Sequence, residues 1–337
     1  MLLILLAAIS SCKKGGPSGP VTNIYVSGTI NNSNGPAPGY WKNGTLIQLK
    51  SNETYGEVFA MAVEGSDVYI AGLSYNSPNT VDSARILYWK NGVANYLPNN
   101  GKSGLATGIA VSGSDVYVTG YSYDLTYSAN DEPSPVFWKN GALDSLSIPG
   151  NQAQTTAVAI QGSDVYIAGS SYDISSNMIA EYWKNGVVNS LGEGIPNAIA
   201  VSGSDVYIVG SAHNNTSEFV AVCWKNGTQI PLQYTDQTYF PGQANAIAFS
   251  GSDVYVAGNT LDKNGGGANV ATYWKNGIPL QLGYGTANAI CISGSDIYIA
   301  GLSADGTGNQ IPVYWKNGVL VKLPGSGNPT GIVVIAP

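Results

Sequence analysis

The side chains with chemistry to offer recur at one place in the chain. Four residues after a repeated Gly stand Asn32, Asn76, Asp124, Asp173, Asn214, Asp262 and Asp305. The residue just before each is Asn31, Tyr75, Tyr123, Tyr172, His213, Leu261 or Ala304. Rings therefore occupy four consecutive occurrences. An arc of Tyr75, Tyr123, Tyr172 and His213 would stack on the C–H faces of sugars or on peptide, with Asp124 and Asp173 accepting from hydroxyls beside two of the rings. The plainer readings are an Asx-turn opening each loop and ordinary packing of the rings. A second set precedes a short apolar run in each repeat: Phe59, Thr107, Thr156, Asn197, Asn245, Asn288 and Thr330. The polar members of this set would line the mouth of a channel and hydrogen-bond water or a ligand.

The catalytic inventory is thin. His213 is the single His and Arg85 the single Arg. No Gly-x-Ser-x-Gly elbow accompanies His213. Cys223 and Cys291 fall in non-adjacent repeats and read as core substitutions for Tyr and Ala, which argues against a zinc set or a shared disulfide. No metal and no cofactor is expected. For an enzyme there remains a loop carboxylate pair such as Asp124 with Asp173, which glycoside hydrolysis needs about 5–10 Å apart.

Composition narrows the classes further. Of 337 residues 44% are hydrophobic and only 10% charged, which excludes a disordered chain. Three Cys are too few for a disulfide scaffold. A net charge of -7 with one Arg speaks against nucleic acid, whose binding rests on Lys and Arg. Forty-three Gly and 22 Tyr point to an all-β chain with many tight turns.

The elements that must position these side chains are legible as a repeat. Trp-Lys-Asn-Gly occurs at Trp41, Trp89, Trp138, Trp183, Trp224, Trp274 and Trp315, at spacings of 41 to 50, and uses every Trp in the chain. Gly-Ser-Asp followed by Val/Ile-Tyr places its Asp at Asp67, Asp115, Asp164, Asp205, Asp253 and Asp296. In the unit around Trp224, Ala198 to Val201 is a short strand A and Ser202-Gly203-Ser204 a turn. Asp205 to Val209 is strand B, ended by Gly210. Val220 to Lys225 is strand C, Asn226-Gly227 a hairpin turn, and Gln229 to Leu232 strand D. Four short strands per unit is the propeller-blade pattern. The first unit supplies B, C and D, and the end of the chain, Thr330 to Ile335, supplies an A-type run. The expected fold is an all-β, seven-bladed β-propeller with four antiparallel strands per blade and 3+1 closure, over residues 21–337.

The chain resembles bacterial secreted propeller-repeat proteins whose blades carry Tyr-Trp-Lys-Asn-Gly. That resemblance covers nearly the whole mature chain and implies the fold, with little said about activity. The sialidase pattern Ser-x-Asp-x-Gly-x-x-Trp is absent, as are the kelch Gly-Gly and WD signatures.

Each repeated Trp is read as packing between neighbouring sheets, with sugar stacking the sharper alternative. The Asp of Gly-Ser-Asp is read as a cap on the A–B turn, with a metal site the alternative. The Lys of Trp-Lys-Asn-Gly is read as solvation. The A–B and C–D turns share one face and hardly vary, whereas the B–C and D–A connections share the other and vary freely, so function belongs to the second face.

The first residues read as an address. An apolar run, Leu2 to Ile9, is too short to span a bilayer and ends in Ile9-Ser10-Ser11-Cys12. That tetrapeptide resembles a bacterial lipobox, which implies a signal peptide over residues 1–11, lipidation of Cys12 and a tether over residues 12–20. No basic segment precedes the run, which fits a start placed slightly too far downstream. Lys13 rather than Asp follows the Cys, so by the same resemblance the outer membrane, and possible cell-surface exposure, is expected. The sequence reading is a monomeric, surface-anchored binding or scaffold propeller for a glycan or protein, attached to the membrane through its lipid only. The alternatives are a carbohydrate-active enzyme using loop carboxylates and a structural accessory of an envelope assembly.

Overall fold

The computed structural model describes residues 22–77, 84–123, 133–146, 152–213, 219–234 and 239–336. Cys12, Asp124, Asn214 and the leader lie outside them. Among the described residues no helix is long and apolar enough to cross a membrane.

The repeat unit is a four-stranded antiparallel meander. Around Trp224 its strands are Ile195–Ser202 (A), Asp205–His213 (B), Phe219–Lys225 (C) and Thr228–Pro231 (D). Each pairs with the next. Asn226 and Gly227 take φ of 50° and 83°, the left-handed pair a two-residue hairpin demands, and the other Asn-Gly turns do the same.

The described strands form five four-stranded sheets and one seven-stranded sheet. In the larger sheet a single long strand, Ile278–Ser293, ends one unit and begins the next. The strand Gly327–Ile335 pairs with Asn23–Asn32, so the two ends of the chain share a sheet. The A strands pack side by side in sequence, and Gly327–Ile335 touches both Tyr55–Glu64 and Ile278–Ser293.

The cores lie between sheets. All seven Trp are buried to 1% exposure or less. Trp89 packs with Val58, Ile70 and Leu87 of its own unit and with Tyr25, Leu49 and Val333 of the preceding one. Its Nε1 donates to Lys50 O at 2.7 Å, and Trp41 and Trp138 donate likewise to Pro324 O and Pro98 O. Each of these carbonyls follows the last core Leu of the neighbouring unit. Trp224 and Trp315 have no such acceptor. In front of them the sequence is Leu191-Gly192 and Leu282-Gly283, with φ of 88° and 108°. The strand bulges there; before Trp315 it runs straight on into the next unit and before Trp224 only Gly194 separates the two strands, and the acceptor is lost.

One expectation needs correction. Strand B does not end at Gly210 but continues to His213, and the same extension occurs in the other units. The Gly is required for another reason. A Cβ at Gly210 would collide with the carbonyl of Ile195, and one at Gly72 with that of Glu57. The inner strand carries a β-bulge at this level that pushes its backbone toward strand B.

Candidate functional site

The face holding the A–B and C–D turns is occupied by an internal lock. In the third unit Asp115 Oδ2 lies 3.1 Å from Lys139 Nζ, and Asn140 Nδ2 donates to Asp115 Oδ1 at 2.9 Å. Asn140 Oδ1 accepts from Val116 N, and Lys139 Nζ sits 5.2 Å from the Tyr117 ring centroid. The same four residue types interlock at Asp67–Lys90, Asp164–Lys184, Asp205–Lys225, Asp253–Lys275 and Asp296–Lys316, with ion-pair distances of 2.8 to 3.1 Å. In the first unit Asn23 replaces the Asp and accepts from Asn43 Nδ2 at 3.1 Å. The Asp is therefore not a turn cap and the Lys is not mere solvation: together they tie the start of strand B to the end of strand C.

Hydrogen bonds from Asn140 and then Lys139 hold the Asp115 carboxyl below the usual carboxylate range, and the equivalent Asp residues are held down in the same way. A carboxyl depressed in the folded state contributes stability that is complete above its unfolded value of about 3.9 and is lost as pH falls through the folded value. The melting temperature is expected to be level from pH 7 to about 5 and to fall below about 4. Asp115→Asn should flatten that acid limb. Calorimetry across pH checks this, and a melting temperature that rises on acidification would contradict it.

The ring positions of the variable face are the last residues of four B strands, Asp67–Tyr75, Asp115–Tyr123, Asp164–Tyr172 and Asp205–His213. They are not equivalent. Tyr75 is 4% exposed, stacks on Tyr55 at 5.6 Å and donates to Glu57 Oε1 at 3.2 Å. Burial, with the charge of Glu57, pushes its hydroxyl up to about 12. Tyr75 is a packing residue and leaves the proposed arc. Tyr123 is half-buried, edge-on to Tyr121 at 5.5 Å. Tyr172 is half-buried, and His213 is exposed with its edge on Phe219 at 5.0 Å.

Asp173 spends most of its carboxylate on its own loop. Its Oδ1 accepts from Ser175 N and Asn177 N, at 2.8 and 2.9 Å, and its Oδ2 from Asn177 Nδ2. These bonds, that from Asn177 N foremost, hold its carboxyl below the usual range. Asp305, Asp262 and Asn32 close similar Asx-turns. Asn76 instead accepts from Thr54 N.

Two charged clusters escaped the sequence reading. Glu53 accepts from Tyr96 OH at 2.6 Å and Ser74 Oγ at 2.7 Å and pairs with Arg85 at 3.2 Å. Burial raises its carboxyl, but these three donors outweigh that and hold it below the usual range. The single Arg thus ties its own unit to the segment that leads into it, with its guanidinium 3.9 Å over the Tyr96 ring. Glu181 is 3% exposed, and its Oε2 has no hydrogen-bond partner. Burial raises its carboxyl, opposed by a bond from Ser171. Aligning the repeats would have found it, since the same place holds Gly39, Leu87, Val136, Val222, Thr272 and Val313.

The second candidate set comes together in one place. Phe59, Thr107, Thr156, Asn197, Asn245, Asn288 and Thr330 each occupy the bulge of their A strand, the residue skipped in its pairing. All seven line one central cavity of about 130 Å³. Phe59 and Thr107 are fifth of ten in their strands and Thr156 and Thr330 fourth of nine, so the cavity lies about midway along the inner strands. Asn197 Nδ2 donates to Ala244 O at 2.8 Å, Asn245 to Ala287 O at 3.0 Å and Asn288 to Pro329 O at 2.8 Å. Each of these bonds joins one inner strand to the next. The shorter Thr107 and Thr156 donate within their own units, to Thr119 O and Ala168 O.

Cys223 is free and buried, and burial pushes its thiol up to about 12. Among the described residues no group of three or more His, Cys, Asp or Glu is placed to hold a metal.

No protein-family model matches the chain, and no characterised protein matches it in sequence. Solved structures match it in fold. The acylaminoacyl peptidase of Pyrococcus horikoshii aligns at a TM-score of 0.53 and 11% identity, over 95% of this chain and 52% of its own. A puromycin hydrolase aligns at 0.52 and 10%, over 96% and 54%. A subtype N11 neuraminidase-like protein of the strain A/flat-faced bat/Peru (H18N11) aligns at 0.51 and 9%, over 96% and 98%. The chain spans about half the length of the two peptidases. At these identities the likeness concerns the fold alone. With four-stranded antiparallel sheets set side by side around a central cavity, the chain is a repeat protein of the β-propeller class.

Proposed function

We propose that this propeller has seven blades closed three strands plus one, and that it is a lipid-anchored binding or scaffold module for a glycan or protein. The ligand is taken by the B–C and D–A face. The observation that carries this reading is the asymmetry of the two faces. On one, the repeated Asp, Lys, Asn and Tyr are consumed in locks that leave little for recognition. On the other, the loops differ from unit to unit, and Tyr123, Tyr172 and His213 retain exposed surface. An enzyme is the weaker reading, because Asp173 is tied into its own loop and the only Arg is spent on Glu53. Lipid on Cys12 and a tether over residues 12–20 would hold a monomer at the outer membrane, with no role for nucleic acid.

Stacking on a ring is worth about 0.5–1.5 kcal/mol beyond area burial, so losing two rings should weaken binding about 10-fold or more. The test is a glycan array and a pull-down with residues 15–337, comparing the natural chain with Tyr123→Ala/Tyr172→Ala. The expected result is lost binding with an unchanged melting temperature. Unchanged affinity would remove the arc as the site. A large drop in melting temperature would make these rings packing residues, as Tyr75 is.

A further inference from the structure

We infer that the channel cavity is a subsite for a single neutral sugar ring; this rests on the glycan reading of the variable face and deepens it. At about 130 Å³ the cavity is well below the ~300–1,000 Å³ of a drug-sized site, which limits its occupant to one small ring. No charged side chain lines it. A carboxylate-bearing ligand would find no cation there, and Ca²⁺ would find no carboxylate.

The lining has two parts. Met61, Ile109, Val158 and Ile290 turn into the cores between sheets, so the apolar part of the wall is Phe59, its only aromatic ring. Phe59 is half-buried and packs against the cluster of Leu73, Tyr75 and Ala84, so its position is held from behind. The other part is a set of oriented acceptors. The carboxamides of Asn197, Asn245 and Asn288 are turned by their bonds to the next inner strand, which leaves each Oδ1 without a protein partner. The hydroxyl protons of Thr107 and Thr156 are committed to main-chain carbonyls, which leaves their lone pairs as acceptors. A ring with an apolar C–H face and hydroxyl donors on its edge meets both requirements at once. Water would satisfy the acceptors but would gain nothing from Phe59.

The experiment is saturation-transfer NMR and calorimetric titration of residues 15–337 with neutral methyl hexosides, methyl N-acetylhexosaminides and a methyl hexuronide. Phe59→Ala, Thr156→Val and Tyr123→Ala/Tyr172→Ala are run in parallel, with melting temperatures recorded for each. At least one neutral glycoside is expected to bind. Phe59→Ala should weaken it about 10-fold and Thr156→Val several-fold, and the hexuronide should not bind. Thr156→Val preserves shape, so it decides the matter even where Phe59→Ala perturbs folding. Unchanged affinity in both channel variants overturns the inference. If the Tyr123/Tyr172 variant alone then loses binding, the variable-face reading stands without the channel. If no glycoside binds, the glycan reading falls with it.

Discussion

Removal of residues 327–337 is expected to abolish cooperative folding at room temperature. The strand Gly327–Ile335 is the inner strand of the sheet that contains the first three strands of the chain. Ile332, Val333 and Val334 are each at most 1% exposed. Burying such side chains contributes about 1.5–3 kcal/mol apiece, so about 5–9 kcal/mol is lost as an upper estimate. That is comparable to the ~5–15 kcal/mol total stability of an ordinary domain. The deletion also bares the ladder edge of Asn23–Asn32, an invitation to aggregate. It further breaks the bond from Asn288 to Pro329 O, which joins the inner strands across the seam. Thermal unfolding followed by near-UV circular dichroism checks the prediction, with the 327–337 peptide added in trans to restore the transition. A truncated chain that melts within a few degrees of the full one would show that the fold does not depend on this pairing.

Trp89→Ala should cost about 3–5 kcal/mol, the usual range for emptying a buried aromatic site. Trp89 is fully buried at the meeting of two sheets, so the cavity weakens the interface between units rather than one sheet alone. The finer comparison is with Phe. Trp89→Phe removes the bond to Lys50 O as well as part of the ring. Trp224→Phe removes only ring, because Trp224 Nε1 has no partner and already carries a desolvation cost. The first should therefore be more destabilising than the second by about 1 kcal/mol. Urea midpoints at equal slopes measure the difference. Equal costs would mean that the indole bonds contribute nothing net to the joints between units.

Much of the architecture was legible because the signals are local and repeated. Asn-Gly after Trp-Lys forces a left-handed pair wherever it stands, so Asn226 and Gly227 could be placed without knowing their neighbours. Alternation marked the strands, and the large indoles marked the core. The repetition also exposed the bulge residues as a set, since Asn197, Asn245 and Asn288 stand at one phase of the pattern and line one cavity.

What the chain does with those residues was settled by partners that lie far off in sequence. Gly210 read as the end of a strand, yet it is kept clear for the carbonyl of Ile195 on the adjacent strand. Asp115 read as a turn cap until Lys139 and Asn140 were seen beside it. Tyr75 and Tyr172 follow the same motif at the same phase. Only Tyr75 meets Tyr55 and Glu57 from the paired strand, and so only Tyr75 is buried away from any ligand. A residue's own segment determines its backbone and the side of the sheet it takes. Its burial, its charge state and its freedom to bind depend on which side chains the neighbouring strands bring against it, and those arrive only when the strands pair.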